Sequence, residues 1–440
     1  MPRGHWRRVY DGDRQHTGGP VPAMISEPEL NTGSRAAVAA GRRFRVLVVS
    51  RNYPNSVLPL LGLWVDGMVR LSSPFCDIKV ISPVPYCPPL PRMPENFARF
   101  RRIERSRWDG GVEVFHPRMV IPPRTWFHGF EGFPYYGSVS RLADRIRSRF
   151  NFDLIHAHFT FPDGWVAARL SRRYGVPLVI TEQASWRPWM DDYAAVRRRA
   201  LWAHRHCSVH IAISRANRES IVHFTGESPK LRVLPDAVDE SVFVLPPDGA
   251  PRIADQILFV GVTRPVKGVD ILLRAMKLLA DRGNGARLVL VGEGFYANYR
   301  MEYERLQRMA HELAIADRVE FAGGKPLPEL VRYMQQSAAL VLPSRRESFG
   351  MVLAEALACG TPVVSTRCGG PEDIVASDVG VLVPPEDPLA LADGIERVLS
   401  SGQRYQPRRL REHAVENFGF ASVATRLAVL YQEAAHSVRS

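Results

Sequence analysis

The sequence has no run of about eighteen apolar residues, the length that a helix needs to cross a membrane, so no membrane span is predicted. Cysteine is scarce as well. The five cysteines form no C-x-x-C pair and are odd in number, which argues against a disulfide framework and against a zinc site. No metal site is predicted, and a reducing, cytoplasmic compartment is favoured. The cysteines are Cys76, Cys87, Cys207, Cys359 and Cys368.

Lysine is rare too, although the chain is strongly basic. The formal net charge of +13 is carried mostly by arginine, since the lysines are only Lys79, Lys230, Lys267, Lys277 and Lys325. A basic balance suits acidic partners, namely nucleotides, anionic lipid surfaces or nucleic acid. Residues 1–43 contain no apolar segment of the kind found in secretory signals, and they are predicted to form a disordered tail.

Short apolar runs alternate with helical segments in two series. At 440 residues with 45% hydrophobic content, the chain is long enough for two cores. The alternation predicts an α/β fold with two doubly wound, Rossmann-like domains facing an interdomain cleft, the first over residues 44–236 and the second over residues 237–420. The predicted strands cover residues 44–50, 77–82, 153–159, 177–182 and 208–214, then 257–261, 288–291, 319–322 and 340–342.

The most informative stretch runs from residue 340 to residue 383. A strand leads into a charged turn that carries Glu347, and an apolar helix is predicted to begin at residues 349–351 and to end near Gly360. Glu355 is the only charge within that helix, and a lone carboxylate there is costly to bury unless something outside the helix needs it. If the helix spans both glutamates, they lie about 12 Å apart, roughly the length of a sugar, a diphosphate and the near edge of a ribose.

The start of this helix is suited to a diphosphate. Its first backbone N–H groups have no partner within the helix and carry the positive end of the helix dipole. One helix is therefore predicted to hold three parts of a nucleotide-sugar, through Glu347, Glu355 and the backbone of Phe349, Gly350, Met351 and Val352.

The spacing of Glu347 and Glu355, followed by the sequence EALACGTPVV and a Gly-Gly loop, resembles the donor-site signature of the family 4 glycosyltransferases, which have the GT-B fold. The alternative is a helix in which Glu355 pairs with an arginine while Glu347 is a solvated loop residue. The resemblance covers residues 44–434. It implies a retaining, metal-independent enzyme without a cofactor. Such an enzyme moves a sugar from a nucleoside-diphosphate sugar to a hydroxyl acceptor, in envelope glycan, glycolipid or polysaccharide synthesis.

The resemblance also implies roles for the two domains and for single residues. The first domain, completed by a C-terminal helix over residues 421–436, would bind a lipid-linked or glycan acceptor, and the second would bind the donor. Lys267 and Glu347 are the implied catalytic residues. Lys267 would neutralise the leaving diphosphate, Glu347 would hydrogen-bond the sugar hydroxyls, and Glu355 would hydrogen-bond the ribose. Arg264 stands closer to Lys267 than the arginine usual in the family, whose position is Val262 here.

Further substrate-binding candidates lie outside this stretch. Gly62 either lets backbone amides approach the donor phosphate or serves turn geometry alone. Gln183 stands where many family members have a histidine that touches the donor sugar. Residues 235–239 resemble the family's interdomain PNGVD turn, with Asp236 in place of asparagine. Gly323 and Lys325 are expected near the nucleotide base.

Several features leave other interpretations open. Residues 83–134 interleave arginine with aromatic residues, which suits either peripheral contact with an anionic membrane at its inner face or a solvated face of the domain. They match no nucleic-acid module, so nucleic acid is not expected as a partner. Residues 292–297 match the dinucleotide fingerprint weakly, which keeps an oxidoreductase as an alternative, beside a non-catalytic lipid- or nucleic-acid-binding protein. His156 and His158 share one strand face and are predicted to be satisfied core histidines rather than metal ligands. Ser214 is predicted to cap the helix that follows it.

Overall fold

The computed structural model describes residues 43–86, 99–120, 130–186, 189–247, 250, 252–292 and 297–437. The predicted tail lies outside these residues apart from Arg43, as does the centre of the weak dinucleotide motif at residues 293–296. Within the described part, the chain builds two large sheets with helices around them, which confirms the predicted α/β class. No helix of this part is both long and apolar enough to span a membrane.

The first large sheet is buried on both faces. The strands of this half are β1 (Phe44–Val49), β2 (Cys76–Ile81), β3 (Val84–Tyr86), β4 (Ser106–Asp109), β5 (Val112–Phe115), β6 (Arg118–Val120), β7 (Leu154–His158), β8 (Leu178–Glu182), β9 (Val209–Ala212) and β10 (Leu231–Val233), of which β3 and β6 form a small separate sheet. The eight strands of the large sheet follow the order β10-β9-β8-β7-β1-β2-β5-β4, and the β4–β5 pair alone is antiparallel. In β1, Val46 and Val48 contribute to one core while Leu47 and Val49 contribute to the other, which explains the unbroken apolar run.

The second sheet is fully parallel and doubly wound. The strands are β11 (Ile253–Val260), β12 (Arg287–Val291), β13 (Val319–Gly323), β14 (Ser337–Leu342), β15 (Val363–Thr366) and β16 (Gly380–Val383). Their order in the sheet is β13-β12-β11-β14-β15-β16, so the chain adds three strands in one direction and then returns to add three beside β11. Folds of this kind bind ligands outside the carboxyl ends of the strands where the winding reverses, which here is between β11 and β14.

The last helix of the chain packs on the first sheet and not on the second. Its Val423 and Leu427 lie in the same core as Val46, and the hydroxyl of Tyr431 is 2.8 Å from Nδ1 of His156. The helices are α1 (Leu63–Ser72), α2 (Gly132–Arg149), α3 (Trp165–Tyr174), α4 (Trp189–Asp192), α5 (Ala194–His206), α6 (Arg215–Thr225), α7 (Val269–Asp281), α8 (Ala297–Glu312), α9 (Leu327–Gln336), α10 (Met351–Ala358), α11 (Pro371–Ile374), α12 (Pro388–Leu399), α13 (Pro407–Phe418) and α14 (Phe420–His436).

The apolar helix begins within its predicted range, whereas the conditional spacing of the two glutamates and the environment of one histidine differ from expectation. Helix α10 begins at Met351, because Gly350 before it adopts a left-handed conformation with φ of 103°. The helix therefore does not reach back to Glu347, and the spacing of about 12 Å along one helix does not apply. His156 is satisfied as predicted, since its Nε2 also lies 2.8 Å from the hydroxyl of Thr181. His158 is buried, but neither ring nitrogen has a hydrogen-bond partner among the described residues.

Candidate active site

Two loops meet at the carboxyl ends of β11 and β14. The first contains a short helical turn (Pro265–Lys267) and ends at Gly268, which is left-handed with φ of 67°. A Cβ atom on Gly268 would lie 2.0 Å from the carbonyl oxygen of Pro343 in the second loop, so the loops approach this closely only with glycine there. A backbone hydrogen bond of 2.8 Å from Arg345 to Val266 joins them.

The side chain of Arg345 fixes the second loop to the start of α7. Its two terminal nitrogens donate to the two carboxylate oxygens of Asp270 at 2.8 and 2.9 Å, a bidentate pair. The same guanidinium donates to the carbonyl of Pro265 and to the carboxylate of Glu386. Burial alone would raise the pKa of Asp270, but the contacts with Arg345 outweigh burial and hold that pKa below its ordinary value. The charged turn after β14 is thus held in a defined position.

Lys267 and Glu347 are in direct contact across these loops. Nζ of Lys267 lies 2.5 Å from Oε2 of Glu347, and the hydroxyl of Ser344 donates to the same oxygen at 3.3 Å. The two charged side chains keep 26% and 15% of their surface exposed, so a ligand has access to both. The backbone of Glu347 is held by Cys368 and Gly370 of the Gly-Gly loop, at 3.1 and 2.9 Å. The structure therefore brings together two predicted site residues that are 80 positions apart.

The start of α10 lies immediately after Glu347. Phe349 is buried and packs edge-on against Phe418, with ring centroids 5.7 Å apart, so its side chain belongs to the core and only its backbone faces the loop. Gly350 provides the turn, and the half-buried Met351 and Val352 open the helix. The first N–H groups of a helix lack acceptors within it. Several backbone N–H donors therefore lie beside Glu347, at the point where Lys267 contacts it.

Glu355 lies one turn into α10 and is half-buried. Burial raises the pKa of its carboxyl group to about 7. Among the described residues, no arginine or lysine forms an ion pair with it, so the alternative in which an arginine pairs with Glu355 is wrong for this part of the chain. No charged side chain of the described ranges offsets this carboxylate, and a ligand that donates hydrogen bonds to it would do so.

The first sheet contributes Gln183 and Asp236, which lie next to each other. Nε2 of Gln183 and Oδ1 of Asp236 are both buried without a hydrogen-bond partner among the described residues. Burial raises the pKa of Asp236 to about 7, and the neighbouring amide of Gln183 opposes that rise. Two of the three positions at which this sequence departs from the glycosyltransferase pattern are therefore neighbours in the structure. Sequence reasoning noted each departure separately and missed that they are paired.

The first half of the chain also contacts the loop that carries Glu347. Ser214 caps α6 by accepting from the backbone of Asn217 at 3.0 Å, which confirms the predicted cap. The Ser214 hydroxyl donates in turn to the carbonyl of Ser348 at 2.7 Å. Beside it, Nε of Arg215 donates to Asp373 at 2.6 Å. The Glu347 loop is thus positioned from both halves of the chain.

Comparison with known proteins identifies the family. The family model described as Glycosyl transferases group 1 matches residues 249–417, and the one described as Glycosyltransferase Family 4 matches residues 105–242. A D-inositol 3-phosphate glycosyltransferase of Frankia alni is 33% identical over 308 residues, 64% of this chain and 74% of that protein. Its counterpart from Acidothermus cellulolyticus is 34% identical over 292 residues, 60% of this chain and 63% of that protein. The chain belongs to the group 1 glycosyltransferases of family 4.

Solved structures give the fold of this glycosyltransferase. A sucrose-phosphate synthase from Thermosynechococcus elongatus superposes with a TM-score of 0.73 at 19% identity and covers 90% of this chain and 100% of its own. Anabaena HepE, solved in complex with UDP and glucose, gives a TM-score of 0.67 at 19% identity over 89% and 99% of the two chains. The fold is GT-B, with two Rossmann-like domains, as predicted.

Not every predicted site residue of the glycosyltransferase contacts the Lys267–Glu347 pair. Gly62 begins α1 with φ of 72°, and a Cβ there would lie 2.2 Å from the carbonyl oxygen of Asn52, so the turn requires glycine whether or not phosphate binds. A role for Gly62 in phosphate binding stays a prediction.

The remaining candidates lie around the carboxyl ends of β11 and β13. Gly323 ends β13 in a left-handed conformation, and Nζ of Lys325 lies 3.9 Å from the carboxylate of Glu329 in the next helix. Arg264 is exposed at the start of the turn that carries Lys267. Their roles at the base and the diphosphate stay predictions.

Sequence reasoning missed three residues that build the site of this glycosyltransferase. Ser344 shares an oxygen of Glu347 with Lys267, and Arg345 with Asp270 holds the loop that presents them. The available signal was their position: Ser344 and Arg345 follow the apolar run of β14 after a single proline, and Asp270 follows Lys267 by three residues. The pairing between the two loops could be found only with the strand order in hand.

Proposed function

We propose that this chain is a retaining glycosyltransferase that moves a sugar from a nucleoside-diphosphate sugar to a hydroxyl group. The observation that carries the proposal is the contact of Lys267 with Glu347 at the reversal point of a doubly wound sheet, beside the first turn of α10. Such points are where folds of this class bind nucleotides. The complex of Anabaena HepE with UDP and glucose supports a nucleotide-sugar as the donor.

In the proposed reaction, the acceptor oxygen forms a bond to the anomeric carbon as the bond from that carbon to the diphosphate oxygen breaks. Negative charge develops on the leaving diphosphate, where the ammonium of Lys267 and the N–H groups at the start of α10 stabilise it. An oxygen of the leaving phosphate takes the proton of the acceptor hydroxyl on the same face of the sugar. The configuration is therefore retained without a protein nucleophile, and the step uses no metal ion or cofactor.

The two glutamates would hold opposite ends of the donor. Glu347 would accept hydrogen bonds from sugar hydroxyls, and Lys267 would then exchange part of its contact with Glu347 for the diphosphate. Glu355 would accept from the ribose, whose hydroxyls supply the partner that this carboxylate lacks. Gln183 and Asp236, with their unpartnered polar atoms, would contact the sugar and contribute to its selection.

The proposed acceptor is a hydroxyl of a glycan or a lipid-linked molecule, in envelope glycan, glycolipid or polysaccharide synthesis in the cytoplasm. The names of the relatives add a phosphorylated inositol to the acceptors to be tested. Phe130 and Phe133 are each half exposed, which supports peripheral contact with a membrane surface, and the net charge of +13 suits an anionic one.

Calorimetric titration with UDP-, GDP- and ADP-sugars, followed by transfer assays with the sugar that binds, tests the proposal. Lys267→Ala and Glu347→Ala should each lower transfer by about 100-fold or more while the circular dichroism spectrum is unchanged. Lys277→Ala is the control, because Lys277 pairs with Asp281 on the exposed side of α7. Normal transfer by either site variant would contradict the proposal, and a nicotinamide-dependent absorbance change would favour the oxidoreductase instead.

A further inference from the structure

Three potential metal ligands lie together in the first domain, between the end of α5 and β9. His204 is in the last turn of α5, Cys207 follows that helix, and His210 is in β9. All three are buried, with 6%, 3% and 0% of their surface exposed. None of them belongs to the site described above.

The ligand atoms of these three side chains converge on one point. One nitrogen from each ring and the sulfur atom all lie within 4.8 Å of one another. Nδ1 of His204 is 2.8 Å from Nδ1 of His210, and the thiol of Cys207 lies 3.1 Å from the carbonyl oxygen of His204. Two imidazoles that meet nitrogen to nitrogen share a single proton, and that proton occupies the place where a cation would bind both rings.

The surroundings of His210 direct its free nitrogen toward this point. Its Nε2 lies 2.9 Å from the hydroxyl of Thr160, and the backbone N–H of Thr160 donates to the buried carboxylate of Glu182 at 3.0 Å. When Nε2–H of His210 donates to this hydroxyl, the Nδ1 atom of His210 carries a lone pair that points at His204. A histidine whose second nitrogen donates to a fixed oxygen is the usual arrangement behind a metal-binding imidazole.

We propose that His204, Cys207 and His210 bind a divalent transition-metal cation of the zinc class. Two imidazoles and a thiolate are ligands that Zn²⁺ prefers, at about 2.0–2.1 Å for nitrogen and 2.3 Å for sulfur. In a tetrahedral site two such nitrogens lie about 3.3 Å apart, so the rings need to separate by about half an ångström from their present contact. Cys207 gives up its thiol proton on binding, and three protein ligands leave the fourth position to water or a second small ligand.

The ligand atoms of the cluster decide which divalent cation it holds, and a nearby charge weakens binding of any cation that does not bond strongly to them. Lys230 donates to the carbonyl of Arg205 at 2.7 Å, so an ammonium lies close to the cluster and disfavours additional positive charge. The thiolate of Cys207 offsets one charge of the cation. A soft or borderline cation that bonds strongly to sulfur and nitrogen is therefore favoured over Mg²⁺ or Ca²⁺, which take oxygen ligands.

A bound ion would join α5 firmly to β9. The strand β9 leads directly to Ser214, the residue that contacts the Glu347 loop through Ser348. The inference does not depend on the identity of the donor or the acceptor, because it rests on the cluster alone.

Titration of the full-length, chelator-treated, reduced protein with Co²⁺ tests this site. We expect one Co²⁺ per chain, visible d–d bands and a thiolate-to-cobalt charge-transfer band, all reversed by addition of Zn²⁺. Cys207→Ser should remove the charge-transfer band. His206→Gln should keep it, because His206 lies in the same helix end but bonds to Trp202 and not to the cluster.

A second readout uses the unmodified chain and does not depend on the folding of any variant. Zn²⁺ should slow alkylation of Cys207, located by mass spectrometry of peptides, at least tenfold, and should leave Cys76 unaffected. Absence of the charge-transfer band in the unmodified chain, its persistence in Cys207→Ser, or equal alkylation of Cys207 with and without Zn²⁺ would each overturn the proposal. The cluster would then be a hydrogen-bonded histidine pair of the core.

Discussion

At the scale of single residues, the two glutamates of the donor signature have different surroundings. Glu347 has a lysine ammonium at 2.5 Å and a serine hydroxyl at 3.3 Å. Glu355 has no ionic partner among the described residues, and burial raises its pKa to about 7. Glu347 is therefore preorganised before a ligand arrives, while Glu355 carries a cost that a ligand can relieve.

The raised pKa of Glu355 should make the free energy of unfolding depend on pH. Its folded-state pKa of about 7 lies above the value of about 4.3 for an unfolded glutamate, so between these values the folded chain binds more protons than the unfolded chain. The contribution of Glu355 to stability is therefore complete below about pH 4.3 and is lost as the pH rises to 7. Glu355→Gln should be more stable than the wild type by about 3–4 kcal/mol at pH 8 and nearly equal to it at pH 4.5.

Urea unfolding at pH 4.5, 6 and 8 measures this difference. Glu412→Gln serves as the control, because Glu412 is exposed on α13 and pairs with Arg409. If the difference in unfolding free energy between the wild type and Glu355→Gln does not change with pH, the Glu355 carboxylate is already stabilised within the ligand-free protein.

At the scale of secondary-structure elements, the loops after β11 and β14 form the site because the sheet reverses its winding between these strands. Alternation of apolar strands and helices predicted two doubly wound domains but not the order of the strands, and it was the family resemblance that implied a shared site for Lys267 and Glu347. The start of α10 at Met351 agrees with the predicted range of residues 349–351, whereas the left-handed backbone of Gly350, which separates the helix from Glu347, is not encoded by the apolar pattern. The pairing of Arg345 with Asp270 was likewise hidden, since it joins two loops 75 positions apart.

The cluster of His204, Cys207 and His210 was not predicted for the same reason, because it also depends on a contact that forms only in three dimensions. Its spacing, two residues between each ligand and the next, is visible in the sequence. The cluster contains no C-x-x-C pair, and the prediction that the chain has no zinc site rested on that pattern. The turn from α5 into β9 is what brings the second histidine back to the first.

Gly268→Ala tests the close approach of the two loops. The new Cβ would meet the carbonyl oxygen of Pro343 at 2.0 Å, and the residue would also occupy a left-handed conformation. Gly283→Ala is a matched control, because Gly283 has φ of 76° but nothing within 4 Å of a Cβ. We expect the control to lose about 1 kcal/mol of unfolding free energy and Gly268→Ala to lose about 3 kcal/mol or more, with weaker donor binding. Equal losses in guanidinium unfolding would show that the contact between the loops is not tight in solution.

At the scale of the whole molecule, the two Rossmann-like domains are joined at several separate points. Arg215 pairs with Asp373, and Arg70 of α1 donates to Asp239 at 3.0 Å. The last helix returns to the first sheet, so the chain crosses between the domains twice. Because Ser214 contacts Ser348 beside Glu347, movement between the domains changes the surroundings of the donor carboxylate directly.

Asp373→Ala tests whether this connection contributes to catalysis. The carboxylate accepts from both the backbone and Nε of Arg215 at 2.6 Å and keeps only 13% of its side-chain surface exposed. Hydrogen bonds to charged groups contribute about 1.5–3 kcal/mol, so its loss should lower the transfer rate by about tenfold through poorer positioning of the Glu347 loop. Glu227→Ala is the control, because Glu227 pairs with Arg218 of the same helix α6 but within one domain. Small-angle scattering without donor should show a larger radius of gyration for Asp373→Ala than for the control. If both variants match the wild type in transfer rate and radius, the Arg215 pair is only a surface feature, and the return of α14 and the Ser214 contact are enough to hold the domains together.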